Sequence, residues 1–139
     1  MRKDLIRVKL KEIDEGVRLV EESLPSSFRE FENLGLVKDG IYKRVEFCIE
    51  DVLDICAVLN SDLELGIPAD EEDIVDHLVQ ADLLSEAVGS IVKGMRGFRN
   101  FLVHRYGGVD DKIGFKSIKS GFRDFREFEG EIMRILGSD

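Results

Sequence analysis

The two prolines of this chain stand at positions 25 and 68, and the residues between and beyond them form long stretches in which apolar side chains recur every three or four positions. Proline removes a backbone donor and clashes with the preceding turn, so its scarcity leaves room for long helices. The first such stretch runs from about Lys3 to Ser23, with Leu5, Val8, Ile13, Val17 and Val20 near a helical repeat. Leu24-Pro25-Ser26-Ser27 ends it, and Ser26 or Ser27 can cap a short helix from Phe28 to Leu34, with Gly35 as its stop. A second long helix covers about Asp39 to Leu59, and Asn60 to Pro68 reads as a loop. Asp70-Glu71-Glu72-Asp73 then opens a helix ending near Ala81 or Asp82, since acidic side chains suit the positive end of the helix dipole. Ser85 starts the next helix. The last segment, from about Asp110 to Leu136, spaces Ile113, Phe115, Ile118, Phe122, Phe125, Phe128, Ile132 and Leu136 at helical intervals, with Gly121 a point where it can bend or divide. No segment alternates as a strand would. The expected fold is all-α: an up-and-down bundle of four to five helices, in one domain spanning residues 1–139.

With 139 residues, 43% hydrophobic and 35% charged, the chain has the composition of a globular protein that buries a sizeable core. No apolar run approaches the roughly 20 residues needed to cross a bilayer, and the start lacks the apolar core of a signal peptide, so a cytoplasmic location is expected. Cys48 and Cys56, eight apart and flanked by apolar residues, read as core thiols in a reducing compartment. No metal-ligand spacing is present. A net charge of −9 argues against a generic nucleic-acid coat, because phosphate binding draws on a surplus of Lys and Arg. It leaves room for a local basic site.

Residues 84 to 104 concentrate the chemistry. On a helical wheel Leu84, Val88, Ile91, Met95, Phe98 and Leu102 form one apolar stripe, read as core. The opposite face carries Gly89, Lys93, Arg96, Gly97, Asn100 and His104, with Gly94 close by. Glycine inside a helix costs roughly 1 kcal/mol relative to alanine. Three of them suggest the close approach of another helix, expected from an identical subunit. Asn100 and His104, four apart, share a face and can hydrogen-bond. Arg99 lies about 140° from His104 around an ideal helix, too far for a tight pair. Either the helix unwinds at its Gly107-Gly108 end, or Arg99 and His104 converge from two subunits. The plainer readings stand beside these: Arg99 salt-bridged to an acidic neighbour, His104 closing the helix, Tyr106 packed on the bundle. His77, in the short acidic helix, reads as a surface or boundary residue.

The run Arg99-Asn100-Phe101-Leu102-Val103-His104-Arg105-Tyr106 resembles the Arg, four-residue gap, His-x-Tyr signature of HEPN-domain proteins, and specifically the HepT toxins. The order of helices, the proline-bearing loop, the acidic helix and the aromatic final helix are similar to that family over nearly the whole chain. The resemblance implies a metal-independent endoribonuclease without cofactors, working as a homodimer and paired with a minimal nucleotidyltransferase antitoxin. Arg99 would hold the scissile phosphate and His104 would act as general base or acid, a role suited to imidazole because it ordinarily titrates near neutrality. Asn100 would support them, with Lys93, Arg96 and Arg105 drawing RNA. Tyr106 resembles the tyrosine that the partner enzyme modifies with AMP, which would block RNA by charge and bulk. The competing reading is a non-catalytic HEPN subunit that binds nucleotide or substrate for the nucleotidyltransferase.

Overall fold

The structure is a computed structural model that describes residues 1–104 and 110–137. Among these residues the chain forms six helices and no strand: α1 (Lys3–Ser23), α2 (Phe28–Glu32), α3 (Leu36–Asp62), α4 (Glu71–Gln80), α5 (Glu86–Val103) and α6 (Asp111–Leu136). Five are the segments expected from apolar spacing plus the short one after Pro25. α6 runs unbroken through Gly121.

Local chemistry sets the boundaries. Ser27, Asp70, Ser85 and Asp110 each accept a backbone N–H of the first turn that follows, satisfying donors the helix leaves orphaned. α3 and α4 end in the same way. Glu64 and Asp82 sit at positive φ, 52° and 58°, and the next amide reaches back to Asn60 and Leu78 respectively. That is a Schellman closure built on residues other than glycine.

α1 packs antiparallel along α3, joined by the bond from Arg2 to Asp62 at one end and by Lys9 between Asp51 and Asp54 further along. α6 lies antiparallel to α1 and α5: Lys3 reaches the Leu136 carbonyl, Arg126 pairs with Glu21, and Glu131 takes both the amide and hydroxyl of Ser85. Ile6, Leu10, Ile13, Val17 and Val20 of α1 face the core. The expected stripe was displaced at its start: Leu5 and Val8 are exposed, and Ile6 and Leu10 take their place. On α5, Leu84, Val88, Met95 and Leu102 are buried as expected, Ile91 and Phe98 are half-buried, and Val92 joins the core. Cys48 and Cys56 are buried free thiols, and burial pushes each up to about 12. No helix among the described residues is long and apolar enough to cross a membrane.

The helix that approaches Gly89 on α5 is α4 of the same chain. A Cβ on Gly89 would lie 2.7 Å from Val79 and 3.5 Å from Val75. Only Gly89 is explained this way. A Cβ at Gly94 or Gly97 would meet no described atom within 4 Å, and both residues are exposed. Gly94 borders an apolar groove of about 400 Å3 lined in part by Ile91, Met95, Phe98, Ile118 and Phe122.

Candidate active site

Of the functional residues expected from the sequence, Lys93, Arg96, Arg99 and Asn100 lie on the second half of α5 and His104 closes it, and α4 runs antiparallel beside it. Lys93 donates to Asp76 at 2.7 Å, Arg96 donates to Glu72 at 3.1 Å and to Glu71 at 3.0 Å, and Arg99 donates to Glu71. As one partner's number falls the other's rises, the pattern of two antiparallel helices exchanging charge along one seam. α3 adds Glu50, whose Oε1 accepts from Arg99 Nη1 at 2.7 Å.

Lys93, Arg96 and Arg99 are not bare cations in this structure. Each is ion-paired within its own chain. Four carboxylates, from Glu50, Glu71, Glu72 and Asp76, pair with the three cations, so the seam is locally acidic. In the sequence, the Asp70–Asp73 run reads as a complement to the helix dipole. The available signal was its company: acidic residues opening one short helix and basic residues spaced three apart on the next, joined by a tight turn.

Arg99 is the most enclosed of the three, with its side chain 13% exposed. Each of its nitrogens donates: Nη1 to Glu50, Nη2 to Glu71 and Nε to Asn100 Oδ1 at 2.9 Å. Burial works against the charged guanidinium, but the bonds to Glu50 and Glu71 outweigh it and raise its pKa above the ordinary arginine value. The guanidinium is thus permanently charged and fixed in direction.

Asn100 therefore spends its carbonyl oxygen on Arg99, and its bond to His104 is through the backbone: the His104 amide donates to the Asn100 carbonyl at 3.1 Å. That bond is helical. α5 keeps its winding up to Val103, and His104 is the exposed residue that closes it. The angular separation of Arg99 and His104 survives, with Arg99 turned in toward α3 and α4. Unwinding beyond His104, and the expected roles of Arg105 and Tyr106, fall on residues 105–109, outside the described residues.

The other histidine has a partner after all. His77 Nδ1 lies 2.8 Å from Asn60 Oδ1, and Asn60 Nδ2 donates to the Gly66 carbonyl at 2.9 Å. Because the amide group of Asn60 is committed to Gly66, its oxygen faces His77 as an acceptor and the imidazole carries its proton on Nδ1. The pair ties α4 to the end of α3, and so steadies the helix that bears Glu71.

Residues 13–132 match the family model described as Ribonuclease HepT-like. The chain belongs to the HepT-like family. The mRNA nuclease HepT of Shewanella oneidensis is 28% identical over 92 residues, covering 66% of this chain and 69% of that protein. Among solved structures, the tri-AMPylated Shewanella oneidensis HEPN toxin in complex with its MNT antitoxin superposes with a TM-score of 0.85 at 24% identity, over 94% of this chain and 98% of that one. The Bacillus subtilis cytosolic protein YutE, of unknown function, superposes at 0.79 and 20% identity, over 94% and 87%. Arg99, Asn100 and His104 of this chain fall within the matched span, and the structural neighbours share its arrangement of helices.

Proposed function

We propose that this HepT-like protein is a metal-independent endoribonuclease toxin that works in the cytoplasm as a homodimer. The observation that carries the reading is the placement of Arg99 and His104 at the end of α5 inside a ribonuclease-family match, with Arg99 charged and fixed by three bonds. Arg99 binds the scissile phosphate and offsets the charge that builds on its oxygens. His104 takes the proton of the ribose 2′-hydroxyl as that oxygen attacks phosphorus, or gives a proton to the departing 5′-oxygen. Asn100 holds Arg99 in line, and Lys93, Arg96 and Arg105 meet the flanking backbone.

The divergence of Arg99 and His104 around α5 supports assigning the two roles to different protomers. Gly94, Gly97 and the exposed ring of Phe101 lie on the open face of the same helix, where a second copy can approach closely. The partner is a minimal nucleotidyltransferase antitoxin, as the complex of the Shewanella toxin with its MNT antitoxin suggests, and Tyr106 is the acceptor of AMP. Purified protein incubated with RNA and a chelator tests the activity. Wild type is expected to cleave, and His104→Ala to fold normally and cleave at least 100-fold more slowly, the range for loss of a general acid or base. Full cleavage by that variant contradicts the reading.

A further inference from the structure

Among the described residues, Glu71 is the one carboxylate that touches both candidate phosphate-binding arginines. Its Oε1 accepts from Arg96 Nε at 3.0 Å and from Arg99 Nη2. A guanidinium recognises a carboxylate and a phosphate by the same means, with in-plane N–H groups directed at anionic oxygens. Each nitrogen of Arg99 already donates once within the chain, which leaves two of its five N–H groups, so a phosphate held by more than those two competes with one of three acceptors.

The three acceptors are not equivalent. Asn100 is the chain neighbour and is neutral. Glu50 belongs to the middle of α3, the longest helix of the core, and among the described residues pairs with Arg99 and not with Arg96. Glu71 is the first residue of the ten-residue α4, and its release frees donors on two arginines at once. Arg96 and Arg99 stand three apart on α5, so their side chains project from adjoining positions. Stripped of Glu71, they form a two-arginine seat for an anion. An enclosed guanidinium left without a counter-charge is costly, which is a reason for a carboxylate to hold the seat when RNA is absent.

We propose that Glu71 is an internal stand-in for the RNA phosphate, and that RNA binds by displacing its carboxylate from Arg96 and Arg99. The exchange swaps one anion for another, so charge at the seat stays balanced throughout. Its consequence is regulatory: affinity for RNA is held below the intrinsic affinity of the arginine pair, in proportion to how firmly Glu71 occupies it. This inference rests on the reading of Arg99 as the phosphate-binding residue.

The test measures binding of a 2′-O-methyl oligoribonucleotide, which lacks the attacking hydroxyl, to the full-length protein and its variants. Glu71→Gln is expected to tighten binding about tenfold, as removal of one negative charge a few ångströms from the phosphate requires. Glu71→Asp keeps the charge and the helix start but withdraws the carboxylate by one methylene, and is expected to give a smaller gain. Adding Arg96→Ala to Glu71→Gln is expected to remove most of the gain. Unchanged or weaker binding by a folded Glu71→Gln overturns the proposal; if that variant does not fold, no gain in Glu71→Asp does so. An equal gain in Glu72→Gln, whose carboxylate touches Arg96 but not Arg99, also overturns it, since bulk charge would then govern affinity. Failure of the wild type to cleave any RNA strikes the ribonuclease reading alone, because the oligonucleotide measurement needs no cleavage.

Discussion

The hydroxyl of Tyr42 donates to Asp111 Oδ1 at 2.8 Å, while Lys38 Nζ lies 2.7 Å from the other oxygen of the same carboxylate. α3 thereby grips the first residue of α6. Asp110, immediately before it, caps that helix with its own side chain. The described chain on the far side of the motif is thus anchored to the core, as α5 is on the near side.

The grip has a steric requirement that Gly114 meets. A Cβ at Gly114 would fall 2.2 Å from the Tyr42 hydroxyl and 2.7 Å from its ring, on a tyrosine that is 2% exposed. Gly114→Ala is expected to lower stability by about 1–3 kcal/mol through overpacking. Tyr42→Phe, which loses the bond to Asp111, is expected to cost about 1 kcal/mol. Urea titration of the two variants measures both, and an alanine variant as stable as wild type would refute the packing account.

Asn60 gives a second structural prediction. It is 5% exposed, and its carboxamide serves both the Gly66 carbonyl and His77. Asn60→Ala strands those partners and is expected to cost about 1–3 kcal/mol. Because α4 loses a tether, hydrogen exchange should rise in residues 71–80 more than in α1. Uniform exchange across the chain would show that the pair does not hold α4.

Burial raises the Glu129 carboxyl to about 7, with Asp14 adding to the effect and Arg126 opposing it. The folded state therefore binds this proton more tightly than the unfolded chain, where the group titrates at 4.5. Its contribution to stability is fully present below about pH 4.5 and is lost as the pH rises to about 7. Glu129→Gln resembles the protonated form. Its melting temperature relative to wild type is expected to climb between pH 5 and pH 8, whereas a constant difference across that range would show that Glu129 titrates normally.

Much of the bundle was legible because it rests on local rules. Proline placement, Ser and Asp caps, and three-to-four spacing located α1, α4, α5 and α6 to within a few residues. The misplacement of Leu5 and Val8 shows where such rules weaken: near a helix end, two apolar rows compete, and only the packed partner α3 decides for Ile6 and Leu10. The candidate site was half legible. Arg99, Asn100 and His104 stand out as residue types at a helix end, but their ion pairs do not, since Glu50 lies 49 positions away from Arg99 and Glu71 lies 28. Likewise the partner of His77 comes from the end of α3, and nothing adjacent in the sequence announces it.

The central claim is that the motif of one protomer is half of a catalytic site, with Arg99 and His104 supplied by different chains. Mixing the inactive Arg99→Ala and His104→Ala proteins, with subunit exchange allowed, tests it most directly. Each mixed dimer then contains one site with both native residues. Chelator-resistant RNA cleavage is expected to return to about a quarter of the wild-type rate on random reassortment of a two-site dimer. A mixture that exchanges subunits and still fails to cut RNA, beside an active wild type, would contradict the shared site.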